Sequence, residues 1–221
     1  ILLSNKYFTN INIHIIHGLP NEAIEELDKD LTEVLKLNVP HLSFYSLIIE
    51  KHTKLYINNI KNIDEDLDNK MFYYIKTILE KNGYSHYEIS NYAKEEYQSK
   101  HNLTYWNNQY YYGFGLGASG YINKKRYINT ININRYIKGD FDQTEEILTN
   151  KDIISYELIL GLRKLEGVNL LDFKAKYKKD LRTIFYIEDL IEQQILLIKN
   201  NFLFINKDYL YISNEILERF I

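Results

Sequence analysis

The stretch that most constrains the fold lies near the start of the chain, where two β-branched runs flank one amphipathic segment. The first run, Asn10 to His17, reads NINIHIIH and ends at Gly18-Leu19-Pro20, a pattern that predicts a buried strand and its turn. Apolar residues then recur at helical spacing from Asn21 to about Leu37. His41 to Ile49, HLSFYSLII, predicts a second strand. A crossover helix of about 17 residues between two strands makes parallel pairing and an α/β fold the expectation.

The middle of the chain continues this pattern and then changes. Asp64 is the expected N-cap of a further helix, and Gly83 is the residue expected just past its end. Tyr84 to Tyr92 predicts another strand. Short aromatic strands and glycines follow, up to a predicted hairpin around Lys124.

The last part of the chain predicts a small helical domain. We expect a linker at QTEEILTN, Gln143 to Asn150, and so a boundary between residues 1–142 and 143–221. Beyond it we predict a helix ending in GLRKLEG, a short helix at Leu170 to Tyr177 and a longer one from about Asp180 to Lys199. A hairpin, FLFINKDYLYIS, and a final helix from Asn214 complete a winged-helix-like arrangement.

Composition excludes several classes of function. The net charge of −3 and the pI near 6.1 give no general attraction to nucleic acid. No apolar run reaches the roughly 18 to 20 residues of a membrane helix, so we expect no membrane span. The chain has no cysteine, which removes disulfides, thiolate catalysis, zinc held by cysteine and an iron-sulfur cluster held by this chain alone.

The densest cluster of ligand-binding residue types is KHNLTYW, Lys100 to Trp106, ahead of the glycine-rich run GFGLGASG. His101 offers an imidazole that ligates iron when neutral, and Tyr105 and Trp106 offer flat apolar faces with polar tips. The same residues also suit a well-packed corner with a hydrogen-bonded histidine. The glycine-rich run permits either a close backbone approach to a ligand or sharp turns between strands. From the residues alone, both interpretations stay open.

Several motifs in this order resemble the second half of a known family. They are INIHIIHGLP, HLSFYSLIIE, YEISNYA followed by HNLTYW, YYGFGLGASGYI and LILGLRKLEGV. The chain resembles radical S-adenosylmethionine (SAM) proteins of the anaerobic coproporphyrinogen III oxidase type, and within them the HemW haem chaperone branch. The resemblance implies the C-terminal part of a partial TIM-like (β/α)6 barrel, followed by the small helical, winged-helix-like domain.

The resemblance also implies a haem site at the pattern His-Asn-x-x-Tyr-Trp, formed here by His101, Asn102, Tyr105 and Trp106. In this interpretation His101 is the candidate ligand of the haem iron, and the tyrosine and the tryptophan pack against the porphyrin.

Two departures from the family pattern concern its other cofactors. Family members hold a 4Fe-4S cluster with a CxxxCxxC motif, and this chain has no cysteine, so we expect the cluster and SAM to need an upstream half. Family members also carry an aspartate at the position of His14 in the strand before Gly-Leu-Pro. An imidazole cannot replace a carboxylate that accepts hydrogen bonds from ribose. By resemblance His14, Ile48 and Ser119 occupy SAM pocket positions.

The expected function is therefore that of a haem chaperone, which binds haem and passes it to a recipient haem protein. The alternative is an oxygen-independent coproporphyrinogen III dehydrogenase, which must neutralise several substrate carboxylates and so favours an arginine-rich pocket. We expect no radical chemistry from these residues alone. The resemblance implies a cytoplasmic location, or a mitochondrial or plastid one in a eukaryote. Exposed strand edges and apolar surface predict self-association, such as a dimer, and no nucleic acid partner is expected.

Overall fold

The predicted βαβ unit is confirmed in the computed structural model, which describes residues 1 to 221. Strand β1 (Asn12–His17) leads through helix α1 (Ile24–Lys36) to strand β2 (His41–Ser46), and the two strands pair in parallel. The remaining elements of this first unit are α2 (Lys54–Ile57), α3 (Glu65–Lys81), β3 (Ser85–Glu88) and β4 (Asn91–Ala93). The unit spans Ile1–Ser99.

The four strands of the first unit form one mixed sheet in the order β1-β2-β4-β3. Strand β4 runs antiparallel to both of its neighbours. The single strand predicted from Tyr84 to Tyr92 is therefore wrong, because the chain turns after Glu88 and folds back as β4.

One face of this sheet carries the hydrophobic core. Leu42 and Phe44 of β2 pack with the apolar faces of α1 and α3, where Leu31 and Ile75 are almost fully buried. Burial of such a side chain stabilises the fold by about 2 kcal/mol relative to leaving it exposed. The predicted cap of α3 is confirmed, since the Asp64 carboxylate accepts from the Leu67 amide at 3.2 Å. The opposite face of the sheet is the polar one.

The second unit spans Lys100–Ile221. Its elements are α4 (Lys100–Trp106), β5 (Ser119–Ile122), β6 (Lys125–Asn129), α5 (Ile133–Ile137), β7 (Gln143–Ile147), α6 (Asn150–Gly161), β8 (Val168–Asn169), α7 (Leu170–Tyr177), α8 (Glu188–Glu192), β9 (Leu196–Lys199), β10 (Phe202–Ile205) and α9 (Ser213–Glu218). They include two antiparallel sheets, β5-β6-β7 and β8-β10-β9.

The linker predicted at Gln143 to Asn150 is wrong. Residues Gln143–Ile147 form β7 and pair along their whole length with β6. The predicted boundary after residue 142 therefore falls inside a three-stranded sheet, and the two compact units divide between Ser99 and Lys100. The five residues of β7 are all exposed and mostly polar, which is why an edge strand resembled a linker in the sequence.

Near the C-terminus the chain has short helices and a two-stranded hairpin, but two parts of the predicted winged-helix-like arrangement are wrong. The long helix predicted from Asp180 to Lys199 is wrong, because only α8 is helical there and the chain then enters β9. The hairpin joins β9 to β10 through Asn200 and Asn201, which have φ angles of 52° and 65°, as a tight hairpin turn requires. The predicted second strand, DYLYIS, instead forms a short helical turn and leads into α9.

The expected exposed edge and apolar surface are both present on the first unit. Strand β1 lies at the end of its sheet. Large apolar side chains with more than half of their surface exposed include Leu2, Leu3, Tyr7, Phe8, Ile16 and Ile48. Self-association stays a prediction. None of the helices has both the length and the apolar character needed to cross a bilayer.

Candidate functional site

A cleft of about 540 Å³ opens in the second unit beside α4 and the glycine-rich run. Four of the residues predicted from the sequence line it together: His101, Tyr105, Trp106 and Ser119. Much of the remaining lining is aromatic or cationic, and includes Tyr111, Tyr112, Phe114, Tyr121 and Arg126. Asn102 lies on α4 but does not line this cleft.

Helix α4 sets the spacing of the first of these groups. His101 and Tyr105 are four residues apart and so lie on one face of the helix. The Tyr105 hydroxyl is 2.9 Å from Nε2 of His101, and the two rings meet edge to face with centroids 4.7 Å apart. Nε2 thus has a partner within the chain, whereas Nδ1 of this exposed imidazole has none.

Trp106 closes α4 and occupies a more enclosed position. The guanidinium of Arg163 lies 4.6 Å from the centre of the indole ring, a cation–π contact. The indole Nε1 is buried and donates no hydrogen bond, and a buried donor of this kind costs free energy unless a ligand or water accepts from it. The tryptophan also borders a second, more polar cleft of about 320 Å³.

The glycine-rich run, Gly113 to Gly120, forms the rim of the cleft as a loop between aromatic residues. Gly115 and Gly117 have φ angles of 101° and 69°, which side-chain-bearing residues rarely adopt. The Asn129 amide donates to the carbonyls of Gly113 and Gly115 at 3.1 and 2.8 Å, and so holds the loop. Phe114 at its tip is 85% exposed.

The cleft has an aromatic wall beyond Tyr105. Tyr105 meets Tyr111 edge to face at 4.5 Å, and the backbone of Tyr111 pairs with that of Tyr121 through two hydrogen bonds of 2.9 Å. Burial raises the pKa of Tyr111 and of Tyr121 above the ordinary value for tyrosine. Their hydroxyls therefore stay neutral at physiological pH.

A second polar arrangement lies on the non-core face of the sheet in the first unit. Asn12 donates to Nε2 of His14 at 2.8 Å and accepts from Nδ1 of His41 at 2.7 Å, and Nε2 of His41 lies 2.8 Å from the Tyr87 hydroxyl. Burial lowers the pKa of His41 to about 4, with a smaller effect of His14. A neutral His41 that donates through Nδ1 and accepts from Tyr87 satisfies both neighbours. Burial likewise raises the pKa of Tyr87 to about 12.

Buried polar side chains extend this arrangement toward β4. Ser43 donates to the Asn91 side-chain oxygen, and the Asn91 amide donates to Glu88. All three side chains are buried. The alternation in HLSFYS is the sequence pattern that predicts this polar face. It places His41, Ser43 and Tyr45 on one face of β2 and the apolar residues on the other.

The predicted SAM pocket positions belong to different units, His14 and Ile48 to the first and Ser119 to the second. Ser119 lines the cleft with His101. His14 is exposed on β1, where it stacks on Tyr45 with ring centroids 5.8 Å apart, and Ile48, just after β2, is 69% exposed.

The chain by itself provides no set of side chains for an iron-sulfur cluster. Iron-sulfur clusters of this kind are held by thiolates, and the chain has no cysteine. No cluster of three or more histidine, aspartate or glutamate side chains is arranged to hold a metal ion. On β1, Nε2 of His14 lies 2.8 Å from the Asn12 amide nitrogen, and an imidazole offers fewer acceptors to a ribose than a carboxylate does.

The chain is similar to known proteins along nearly its whole length. Residues 148–211 match the family model described as the HemN C-terminal domain. The chain is 37% identical to the heme chaperone HemW of Lactococcus lactis over 99% of its own length and 60% of that protein. It is 33% identical to the heme chaperone HemW of Bacillus subtilis over 97% of its own length and 59% of that protein. The chain thus spans about 60% of the length of these curated relatives.

A solved structure shares the fold. Coproporphyrinogen III oxidase (HemN) from Escherichia coli, described as a radical SAM enzyme, superimposes with a TM-score of 0.79 at 15% identity. The match covers 98% of this chain and 56% of the enzyme. The predicted fold, the C-terminal part of the radical SAM barrel followed by the small helical domain, is therefore confirmed.

Proposed function

We propose that this chain, which belongs to the HemW-type proteins of the radical SAM family, binds haem in the cleft beside α4 for transfer to a haem-dependent protein. The cleft that combines His101, Tyr105 and Trp106 with further aromatic side chains carries this proposal. A volume of about 540 Å³ lies within the roughly 300 to 1,000 Å³ typical of ligand sites. Flat apolar walls with one imidazole suit a planar macrocycle that holds a metal ion.

His101 is the proposed axial ligand of the haem iron. When Nε2–H donates to the Tyr105 oxygen, the lone pair for iron is the one on Nδ1. Tyr105 then fixes both the tautomer and the orientation of the ring, as outer partners of metal-bound histidines commonly do. In this role Tyr105 is a positioning residue, and Trp106 with the aromatic wall supplies the packing surface.

The exposure of the site suits a protein that must release its cargo. His101 and the loop residues Tyr112 and Phe114 are exposed, so the haem would be covered on one side and open on the other. A site that buries only part of its ligand gains less from apolar contact than a closed pocket does. We therefore expect moderate affinity and accessible haem, both of which favour transfer.

The alternative, decarboxylation of coproporphyrinogen III, has less support. That reaction requires several substrate carboxylates to be neutralised, and Arg126 is the arginine that lines the cleft. Arg135, Arg182 and Arg219 each pair with carboxylates of the chain instead. The recipient haem protein, a dimer and a cytoplasmic location stay predictions.

The test is a haem titration followed by absorbance, on the chain and on His101→Ala in parallel, with His52→Ala as the control. His52 is an exposed histidine of the first unit, in a turn that the cleft does not include. We expect a shifted Soret band in the parent chain and in the control, and weaker or altered ligation in His101→Ala. Equal binding and equal spectra in all three would contradict His101 as the ligand. Absence of binding by the parent chain would contradict haem binding by these residues.

A further inference from the structure

We infer that Arg126 is the carboxylate-binding residue of the cleft, so that the ligand recognised there is a planar macrocycle with acidic side chains. This inference rests on the proposed function and assigns a role to a residue that no motif in the sequence singled out. Arg126 lies on β6 and lines the cleft together with His101.

The side chain of Arg126 is held by two aromatic rings. Its guanidinium carbon lies 3.9 Å from the ring centre of Tyr156 and 5.1 Å from that of Tyr121. Stacking of this kind uses the flat faces of the guanidinium and leaves the N–H groups at its edge for hydrogen bonds. The two tyrosines therefore hold the guanidinium in place but accept no hydrogen bonds from its N–H groups through these ring contacts.

No carboxylate of the chain pairs with this guanidinium. Arg135, Arg182 and Arg219 each lie within 2.8 Å of an aspartate or glutamate oxygen. Arg126, by contrast, forms no ion pair even with Glu146, its cross-strand neighbour on β7, and its Nε is buried without a hydrogen-bond partner. A buried charged donor left without an acceptor is unfavourable, and a bound carboxylate would relieve that cost.

Glu157 follows Tyr156 in the sequence, and its carboxylate is engaged elsewhere. Its Oε2 accepts from Lys176 at 2.8 Å, from the Tyr177 hydroxyl at 3.1 Å and from the Asn108 amide at 3.2 Å. Three donors on one oxygen hold this carboxylate in place. Glu157 therefore does not serve as the acceptor for Arg126, and the guanidinium stays open to a carboxylate from a ligand.

The aromatic wall connects Arg126 to His101. From His101 the contacts run through Tyr105 to Tyr111 and then, by paired backbone hydrogen bonds, to Tyr121, on which Arg126 stacks. A ligand lying along this wall meets an imidazole at one end and a guanidinium at the other. Haem has both matching groups, since its iron takes an imidazole and its propionates take a bidentate guanidinium.

The experiment compares three ligands that each lack a different group. Haem carries both iron and carboxylates, haem dimethyl ester lacks the free carboxylates, and protoporphyrin IX lacks the iron. Each is titrated into the parent chain, Arg126→Gln, Arg126→Lys, His101→Ala and the control Lys125→Gln. Lys125 is the neighbouring exposed cation on the same strand and pairs with Glu145. Arg126→Lys keeps the charge and long stem but not the bidentate fork. Thermal melts of each variant show that it is folded.

We expect Arg126→Gln to weaken haem binding about tenfold or more, with a smaller loss in Arg126→Lys and none in Lys125→Gln. The dimethyl ester should bind the parent chain more weakly by a similar factor, and Arg126→Gln should weaken it no further. Binding of protoporphyrin IX should depend on Arg126 and not on His101. Equal haem affinity in the parent chain and Arg126→Gln would overturn the inference. So would a loss of affinity in Arg126→Gln that is equally large for haem and for its dimethyl ester.

The outcomes also separate this inference from the proposed function. If the parent chain binds protoporphyrin IX through Arg126 but gives no Soret shift with haem, iron ligation is wrong and carboxylate recognition stands. If haem binding depends on His101 but not on Arg126, iron ligation by His101 stands and carboxylate recognition by Arg126 is wrong. If neither macrocycle binds the parent chain, both are overturned.

Discussion

The Tyr105 hydroxyl lies 2.9 Å from Nε2 of His101, one helical turn away on the same face of α4. This contact gives the imidazole a fixed orientation at the mouth of the cleft. When Nε2–H donates to the Tyr105 oxygen, Nδ1 is the ring nitrogen left for a metal ion. Three predictions concern contacts of this second unit, and a fourth concerns His41 in the first.

Tyr105→Phe should weaken haem binding by about tenfold and broaden or shift the Soret band, because the imidazole loses the partner that sets its tautomer. The aromatic ring and its packing against Tyr111 are kept. Tyr136→Phe is the matched control, since Tyr136 meets Phe141 edge to face outside the cleft. Absorbance titration checks both variants. An unchanged spectrum and affinity in Tyr105→Phe would show that the hydroxyl does not position the ligand.

Asn129→Ala should loosen the glycine-rich loop. The variant removes two hydrogen bonds to the carbonyls of Gly113 and Gly115, while the backbone pairing of β6 is kept. Limited digestion with chymotrypsin, followed by mass spectrometry, should then show faster cleavage after Phe114. Asn134→Ala, at an exposed position of α5, should leave that rate unchanged. The hypothesis fails if the two variants are cut equally fast at this site.

Gly120→Ala should lower the free energy of unfolding by about 1 to 3 kcal/mol, because overpacking forces a neighbour to shift. An added Cβ would collide with the ring of Tyr127 on the paired strand. That ring cannot move freely, since its hydroxyl accepts from the Gly113 amide at 2.9 Å. Urea unfolding should show a lower midpoint than in Ser119→Ala, the control at the adjacent exposed position. Equal midpoints would mean that Tyr127 adjusts at no cost.

His41 should make the stability of the chain depend on pH. Burial lowers its pKa from 6.5 to about 4 in the folded state, so between these values the unfolded state binds more protons than the folded one. The contribution of neutral His41 to the free energy of unfolding is therefore fully present above pH 6.5, and it is lost as the pH falls toward about 4. His17, whose pKa is also lowered by burial, adds a dependence of the same sign.

Urea midpoints at about pH 7.5 and about pH 4.5 check this prediction. In His41→Asn, the difference between the two midpoints should be smaller than in the parent chain, though not zero because His17 remains. His52→Asn replaces an exposed histidine and should keep the full difference. A parent-sized difference in His41→Asn would assign the pH dependence to other groups.

The elements that the sequence predicted correctly are those whose signals lie within a few residues. The alternation of β1 and β2, the apolar face of α1 and the Asp64 cap of α3 all depend on local periodicity and capping. The haem candidates His101, Tyr105 and Trp106 came from their spacing and from the family resemblance. Their side chains do line one cleft. Their roles toward haem stay predictions.

What only the tertiary structure decided depends on residues far apart in the chain. Residues Gln143–Ile147 resemble a linker until β6 supplies a partner, and the apolar run at β9 is ambiguous until β10 pairs with it. Arg126, on β6, gained a role only when β5 and α6 placed Tyr121 and Tyr156 against its guanidinium. The pairing partner of an edge strand and the rings that stack on a cation come from distant parts of the chain. Local periodicity therefore does not predict them. Sequence therefore determined the local elements and the family, and tertiary packing determined the sheet partners and the composition of the cleft.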